Sequence, residues 1–347
     1  MRVRRVSLVL LGSLVLAVGA LRTTDLLGQP TPEARLAARS WRCDRTIGPD
    51  ASAPRLVRGL QPGQTGCLRG GTYRGDVTFR RPRVTLRAAP GARAKVTGRL
   101  WVASGADGVQ VAGLLLDGRS PSGLPSPTVN ADDARFTSNN ITNAHTGICV
   151  LLGSGWGRAR RTVLRENRIH DCGRRPSTNQ DHGVYVAEAD DTLIVDNVIY
   201  DNADRGVQLY PDAQRTLIEG NIIDGNGEGI IFSGQGDLAS RGTLVRNNII
   251  ANATSRADVE SWYASGGRRG ADNVVRDNCI FGGRGGTVDE AGGGFTALAN
   301  ADQRPGYRDR AHGDFRLEAA DPCGRVLSGS RAPAGPHGEP PIAGQTG

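Results

Sequence analysis

A repeat that is led by asparagine runs through the middle of the chain and restricts the folds open to it. The asparagines recur at intervals of 27, 30, 24, 27 and 30 residues. They are Asn140, Asn167, Asn197, Asn221, Asn248 and Asn278. The residues three and four positions before each asparagine, and two positions after it, are mostly Val, Ile or Leu, whereas the residue two positions before is mostly polar. Such a period predicts one structural unit per repeat, with the apolar positions facing a shared core.

Several repeats contain a second short strand that begins at a glycine. Gly147, Gly183, Gly206 and Gly229 each open a stretch in which apolar residues alternate with a variable position, as in a β-strand. Repeats of 24 to 30 residues with two or three short strands are typical of a parallel β-helix, whose coils stack about 4.8 Å apart. We therefore expect an all-β solenoid with a ladder of asparagines in one turn and Val, Ile and Leu columns inside.

The composition agrees with a core of thin apolar layers and excludes a collagen-like fold. Aromatic residues make up 5% of the 347 residues, and the 49 glycines show no period of three, which excludes collagen. The net charge is +8, and Lys95 is the only lysine among 43 basic residues. The arginine content has two readings that stay open here, the codon usage of a GC-rich genome or a surface that holds polyanions. The arginines are scattered without interleaved aromatic residues, so no nucleic-acid partner is expected.

The N-terminus has the pattern of an export signal. Three arginines precede the apolar run Val6–Val18, and small residues lead to Ala20. We predict a signal peptide over 1–20, a spacer over 21–40, the β-helix over 41–325 and a disordered Pro/Gly-rich tail over 326–347. The 13-residue run is short for a membrane span, so we expect a secreted monomer without a stable span after cleavage, an uncleaved anchor being the alternative.

Six cysteines in an exported chain predict three disulfides. Cys149 and Cys172 are 23 residues apart, just under one coil, so they should nearly stack. Cys43 and Cys67 bracket the segment before the repeats, which leaves Cys279 and Cys323 to join the last coil to the C-terminal end. We predict these three pairs out of 15 possible connectivities.

The repeat resembles that of known right-handed parallel β-helix proteins. The pattern Ile-x-x-Asn-x-Ile, then Asn or Asp, then Gly-Ile-x-Val is similar to the repeat of pectate lyases, polygalacturonases, chondroitinase B and mannuronan C5-epimerases. The resemblance covers roughly Val77 to Leu317, and Leu60–Gly63 with Cys67–Tyr73 resembles the segment that caps such helices. The whole chain is most similar to a group of secreted actinobacterial β-helix proteins. The resemblance implies a polysaccharide ligand.

The residues just before the strand glycines form the candidate site. Thr146, His182, Arg205 and Glu228 share that position, so the last three should lie on consecutive coils. Asp181 and Asp204 stand one residue earlier. The outward positions of the following strands add Tyr185, Gln208 and Tyr210. An insertion, Cys172 to Gln180, delays the strand of one coil and is expected to wall one side of a groove.

The grouping of acid, base and cation suggests chemistry on an acidic polysaccharide. Lyases and epimerases of uronates need a base for the C5 proton and a cation for the carboxylate, and lyases also need an acid for the leaving oxygen. We assign catalytic roles to His182, Tyr185 and Arg205, with Tyr210 as a candidate acid. Asp181, Asp204, Gln208, Tyr210, Glu228, Trp262 and Tyr263 are the predicted substrate-binding residues.

Two further possibilities complete the sequence-based hypothesis. The acidic pairs Asp132-Asp133 and Asp190-Asp191 are candidates for binding Ca²⁺, a hard cation that prefers oxygen ligands. The sequence does not establish a cofactor, and no metal site is assigned. The two functional hypotheses are a lyase or C5-epimerase acting on an acidic polysaccharide and a non-catalytic carbohydrate-binding or cell-envelope protein that uses the same face.

Overall fold

The computed structural model describes residues 42–119 and 123–327. The predicted signal peptide and spacer lie outside the described residues, as do residues 328–347 of the predicted tail. Val326 and Leu327, the first two residues of that tail, lie in a short helix. In the described ranges no helix is long and apolar enough to cross a membrane.

Short strands alternate with turns along the first half of the described chain. Helix α1 is Ala53–Gly59. The strands are β1 (Arg45–Ile47), β2 (Thr65–Leu68), β3 (Gly71–Arg74), β4 (Val77–Phe79), β5 (Thr85–Ala88), β6 (Ala94–Thr97), β7 (Leu100–Val102), β8 (Gln110–Ala112), β9 (Leu115–Asp117), β10 (Thr128–Val129), β11 (Arg135–Thr137), β12 (Asn140–Thr142), β13 (Val150–Leu152), β14 (Ala159–Arg160), β15 (Val163–Arg165), β16 (Arg168–His170) and β17 (Val184–Asp190).

The second half continues the pattern and ends in a hairpin and two short helices. A 3-10 helix spans Arg310–His312, and helix α2 is Gly324–Leu327. The strands are β18 (Leu193–Val195), β19 (Val198–Tyr200), β20 (Arg205–Gln214), β21 (Leu217–Glu219), β22 (Ile222–Asp224), β23 (Glu228–Gln235), β24 (Leu238–Ala239), β25 (Leu244–Arg246), β26 (Ile249–Ala251), β27 (Val259–Tyr263), β28 (Val274–Arg276), β29 (Cys279–Phe281), β30 (Val288–Asp289), β31 (Thr296–Leu298), β32 (Ala301–Asp302), β33 (Tyr307–Asp309) and β34 (Asp314–Leu317).

Three parallel sheets run the length of the solenoid, which confirms the predicted parallel β-helix. Sheet 1 has the order β1-β2-β5-β8-β11-β15-β18-β21-β25-β28-β31, and sheet 2 has the order β3-β6-β9-β12-β16-β19-β22-β26-β29-β32. Sheet 3 has the order β4-β7-β10-β13-β17-β20-β23-β27-β30, with β14 and β24 at its side. The chain visits the sheets in turn, so each coil contributes one strand to each sheet. The core is the column of buried Val, Ile, Leu and Phe side chains that the three sheets enclose.

The asparagine ladder is present, but the first repeat enters it one residue earlier than the sequence alignment predicts. Asn139, not Asn140, donates its side-chain amide to Asn167 Oδ1 at 3.0 Å. The same contact then links each ladder residue to the next as far as Asn300. The reason is the strand register, in which Phe136 pairs with Leu164 and Asn140 with Arg168. Asn140 instead lies in β12 and hydrogen-bonds His170.

Fewer positions of each repeat face the core than the sequence predicts. The residues three before and two after the ladder asparagine point inward and are fully buried, as Ile218 and Ile223 illustrate. The residues four before, such as Leu217 and Leu244, are only partly buried, because neighbouring residues of a strand point to opposite faces. That column was predicted to be interior, and this expectation was wrong.

Two segments outside the repeats cover the N-terminal end of the solenoid and the outer side of sheet 2. At the N-terminal end, helix α1 begins at its N-cap Ser52 and packs Leu56 and Val57 into the main core. This cap precedes the segment predicted for it, because Cys67–Tyr73 lies largely in the regular strands β2 and β3. The C-terminal segment folds back along the outer side of sheet 2, where Phe315 and Leu327 cover Ile222 and Ile249. The three predicted disulfides are confirmed as Cys43–Cys67, Cys149–Cys172 and Cys279–Cys323, each with Cα atoms 5.6 Å apart.

The inward and outward columns should respond differently to truncation. Ile223 is fully buried and pairs with Ile199 and Ile250 on the adjacent coils. We expect Ile223→Ala to lower the free energy of unfolding by about 2–5 kcal/mol, because it leaves a cavity. Arg246 is partly exposed and ion-paired with Glu219 at 3.0 Å, so Arg246→Ala should cost less than about 1 kcal/mol. Denaturant titration of both variants measures this difference, and equal losses would contradict the register.

Candidate functional site

The three longest strands of sheet 3, β17, β20 and β23, position the residues singled out in the sequence. His182, Arg205 and Glu228 lie on consecutive coils, with Arg205 directly opposite Glu228. Thr146 does not join them. Val150 pairs with Val184, so the residue level with His182 is Ile148. The expected four-residue column is therefore a column of three.

Arg205 and Glu228 form a buried ion pair. The Arg205 Nε donates to Glu228 Oε2 at 2.9 Å, and their side chains are 6% and 2% exposed. The second carboxylate oxygen of Glu228 is buried without a hydrogen-bond partner. Burial raises the pKa of Glu228 to about 7; the Arg205 charge opposes this rise and the neighbouring Glu260 adds to it. The Arg205 guanidinium thus has an internal carboxylate partner.

The insertion closes over this pair. Arg205 Nη1 donates to the carbonyl oxygen of Asn179 at 2.8 Å, and Arg205 Nη2 donates to Asn179 Oδ1 at 2.5 Å. Asp204 accepts from the backbone N–H groups of Asn179 and Asp181 and from the Ser177 hydroxyl. These contacts hold the loop against the solenoid. Asp181 is itself ion-paired with Arg174 in the same loop at 2.6 Å.

His182 lies beneath Tyr185. The two rings meet edge to face with centroids 5.3 Å apart, and His182 is 2% exposed. Burial, reinforced by the charge of Arg205, lowers the pKa of His182 well below its usual value, so the imidazole is neutral at pH 7. Its Nδ1 is buried without a hydrogen-bond partner. Burial also raises the pKa of the Tyr185 phenol, which keeps it protonated.

Three aromatic side chains form what we call the aromatic band on the outer face of sheet 3: Tyr185, Tyr210 and Trp262. Tyr185 and Tyr210 are partly exposed, and their rings stack with centroids 6.4 Å apart. Trp262 is 53% exposed. It lies two strands beyond Tyr210, about 10 Å along the solenoid. The Tyr210 hydroxyl donates to Gln235 Oε1 at the rim. The band gives the sheet a row of apolar rings with polar edges.

The other predicted binding residues lie beside the band. Gln208 is nearly buried between Tyr185 and Ile231, and its Oε1 is 3.5 Å from Arg205 Nη1. Tyr263 points away from Trp262, and burial raises the pKa of its phenol. Glu188 was missed by the sequence analysis. It is partly exposed on the outer side of β17, opposite Asp212. The local alternation Ala187-Glu188-Ala189-Asp190 was the signal that could have found it, although the register shift between Val186 and Glu188 sets it out of phase with Tyr185.

The insertion does wall one side of a groove, on the turn side of the solenoid. Arg175, Pro176 and Ser177 line a groove of about 380 Å³ together with residues of three stacked turns. Those turn residues are Asp201, Asn202, Ala203, Gly225 and Thr254. His182, Tyr185 and Arg205 are not among the lining residues. The groove and the aromatic band are thus separate features.

The acidic pairs considered for Ca²⁺ are engaged by arginines. Arg161 bonds Asp133 at 2.8 Å and also reaches Asp132. Arg158 bonds Asp190 at 2.6 Å, and Arg215 bonds Asp191 at 2.7 Å. Within residues 42–119 and 123–327 no group of three or more His, Cys, Asp or Glu side chains is arranged to hold a metal ion.

Comparison with known proteins identifies the architecture. A family model described as right handed beta helix region matches residues 128–302, just over half of the chain. Pectate lyase Pel9A is similar in structure with a TM-score of 0.56 at 13% identity, over 82% of this chain and 92% of the lyase. XylC, solved in complex with xylose, has a TM-score of 0.56 at 12% identity, over 76% and 70%. A search of curated protein sequences gave no match. These likenesses show the fold.

Proposed function

This chain belongs to the right-handed β-helix family, and from that premise we propose that it is a secreted protein that binds a polysaccharide along the outer face of sheet 3. The observation that carries the proposal is the aromatic band. Tyrosine and tryptophan rings offer an apolar surface and a polar edge, which together suit a sugar ring. Two proteins of like fold are connected with sugars by name, one a pectate lyase and the other a complex with xylose.

The direction of the band suits a chain-like ligand. Tyr185, Tyr210 and Trp262 lie on β17, β20 and β27, so the band crosses the strands and runs along the solenoid. Glu188 and Gln235 supply hydrogen-bonding groups at its side. Three disulfides fit an oxidising extracellular compartment, in agreement with the predicted signal peptide.

A second candidate function is elimination or C5-epimerisation of an acidic polysaccharide at the same face. The favouring observation is the group of Tyr185, neutral His182 and Arg205. In elimination a base takes the C5 proton, the electron pair forms the C4–C5 double bond, and the C4–O bond breaks as its oxygen gains a proton. Epimerisation returns a proton to the opposite face of C5. His182 and Arg205 are nearly buried, so substrate would contact Tyr185 first.

Binding measurements with band variants test the proposal. The panel is polygalacturonate, alginate, heparin and xylan, measured by calorimetry or affinity electrophoresis. We expect Trp262→Ala and Tyr210→Ala each to weaken binding of the recognised polymer about tenfold, equivalent to about 1.4 kcal/mol. Leu298→Ala is the matched control, because Leu298 is also exposed (46%) but lies on sheet 1.

Two outcomes would contradict the proposal: a wild-type protein that binds no member of the panel, or band variants that bind like the control. The absorbance of unsaturated uronate, and exchange of the C5 proton in D₂O, separate the catalytic candidates from binding alone.

A further inference from the structure

Charge is divided unevenly along the solenoid. Residues 42–119 contain 14 Arg and Lys against five Asp and Glu, a net charge of +9, whereas residues 123–327 contain 22 against 27, a net charge of −5. A genome-wide preference for arginine codons does not produce such a division. The N-terminal coils are therefore an electropositive region that attracts anions.

Trp101 lies in this region on the outer face of sheet 3, and its indole is held in place. It stands between the buried Leu100 and Val102 in β7 and points outward. The indole N–H donates to Asn130 Oδ1 at 2.9 Å. The Asn130 amide donates in turn to Ser154 Oγ at 2.9 Å and to the Gly157 carbonyl at 2.7 Å. A chain of hydrogen bonds thus fixes the plane of the ring before any ligand arrives.

Two arginines flank the indole, and neither guanidinium forms an ion pair within the described residues. The Cζ atoms of Arg80 and Arg99 lie 5.7 and 5.3 Å from the Trp101 ring centroid, within cation–π range. Within the described part of the chain, no carboxylate is within ion-pair distance of either guanidinium. Asp76 accepts from the backbone N–H of Arg99 at 2.8 Å and its charge acts on the Arg99 side chain, but the guanidinium itself makes hydrogen bonds only at 3.4 Å, to the Pro125 carbonyl and to Thr128. Both arginines therefore keep most of their N–H donors for another acceptor.

A second tryptophan lies on the loop that holds Asn130. Trp156, between Ser154 and Gly157, is 76% exposed, the highest value among the large apolar side chains of the described residues. Leaving an indole in water gives up the stabilisation that its burial would bring. The loop thus presents an aromatic ring close to the hydrogen-bond chain that orients Trp101.

We propose that Arg80, Arg99, Trp101 and Trp156 form a site for an anionic sugar unit, a uronate or a sulfated residue. The indoles provide apolar surface for the sugar ring, and the guanidinium groups donate paired N–H bonds to the carboxylate or sulfate. The inference rests on the proposed polysaccharide function and adds the class of polymer. The register Trp101–Thr128–Leu151–Tyr185 places the site three strands from the aromatic band, about 14 Å along the same face. One glycan chain can therefore contact both.

The test compares two double variants that lose the same charge. Arg80→Gln/Arg99→Gln removes the proposed contacts, whereas Arg55→Gln/Arg58→Gln removes two arginines from helix α1 in the same basic region. On the acidic panel member that the wild type binds, the first variant should lose about 100-fold in affinity, about tenfold for each charge-assisted contact. It should also lose most of the dependence of binding on salt. The helix variant should stay within about threefold of wild type.

Four other results would contradict the proposed site or the proposed function. Equal losses in the two double variants overturn the site, because they show only the general field of the N-terminal coils. Binding of xylan alone overturns the anionic site while the polysaccharide function stands, and binding of no polymer overturns that function. Duplex DNA that binds as tightly, with the same loss in Arg80→Gln/Arg99→Gln, would show a site for polyanions in general and contradict a sugar site. Thermal melting of all variants confirms that they are folded.

Discussion

Asn139→Ala is expected to lower the free energy of unfolding by about 3–5 kcal/mol. The Asn139 side chain is fully buried and makes three hydrogen bonds: it accepts from Leu114 N–H and donates to the Val111 carbonyl and to Asn167 Oδ1. Alanine removes all three and leaves the partner groups buried. Each buried polar group left without a partner costs about 1–3 kcal/mol. The effect should therefore exceed that of most single substitutions.

The neighbouring residue supplies the control. Asn140 is partly exposed and makes one side-chain hydrogen bond, to His170 at 2.8 Å. Asn140→Ala should cost less than about 1 kcal/mol in the same denaturant titration. If Asn140→Ala proved as costly as Asn139→Ala, the strand register of this coil would be wrong, and the ladder would begin at Asn140 as the repeat alignment suggests.

This pair of asparagines also shows how far a sequence can locate a residue in this fold. The period of the repeat predicts the parallel solenoid, because apolar positions recur in every coil. The spacing of Cys149 and Cys172 predicts their disulfide, because residues about one coil apart are stacked, whereas Cys279–Cys323, 44 residues apart, follows only as the pair that remains. The sequence does not decide whether Asn139 or Asn140 enters the ladder. Successive ladder asparagines are 22 to 30 residues apart, and only hydrogen bonds to neighbouring coils decide which asparagine enters the ladder.

The layer that covers sheet 2 could be predicted in part from the sequence. Val198, Ile222 and Ile249 occupy the outward position after the ladder asparagine, where a solvated strand would carry polar residues. Their apolar character indicates a covering layer, which the C-terminal segment provides. The sequence pattern reveals that such a layer exists. It does not identify the segment that forms it, since Phe315 is more than 60 residues from Ile249.

The environment of Arg205 was harder to predict, and its substitution should have the other large effect. The loop that closes over it lies about one coil away in sequence, and its contacts through Asn179 leave no pattern in the repeat. We expect Arg205→Met to destabilise the protein by about 3–5 kcal/mol at pH 8, because Glu228 then loses its buried partner and must either stay charged without it or bind a proton far above the usual pKa of glutamate. Arg215→Met is the control. Arg215 is 58% exposed and paired with Asp191, so its loss should cost less than about 1 kcal/mol.

The loss in Arg205→Met should depend on pH. The pKa of Glu228 is raised from 4.5 to about 7 on folding, so between these values the native state binds more protons than the unfolded chain. Stability in the wild type therefore falls as pH rises through this interval, and it levels above pH 7. Without the Arg205 charge the pKa of Glu228 rises further, so the fall continues to higher pH. The gap between variant and wild type should be small at pH 5 and widest above pH 7, in chemical denaturation at a series of pH values.

The double variant Arg205→Met/Glu228→Leu distinguishes a structural role of Arg205 from a role in binding substrate. It removes both buried charges together, and replacing such a pair by apolar side chains is often neutral for stability. We expect it to recover most of the stability lost in Arg205→Met, to within about 1–2 kcal/mol of wild type. If Arg205 only holds the loop over sheet 3, the recovered protein should bind its polysaccharide nearly as well as wild type. A ten- to hundredfold loss of affinity in this well-folded variant would show instead that the guanidinium contacts a substrate carboxylate, as the sequence alone suggested.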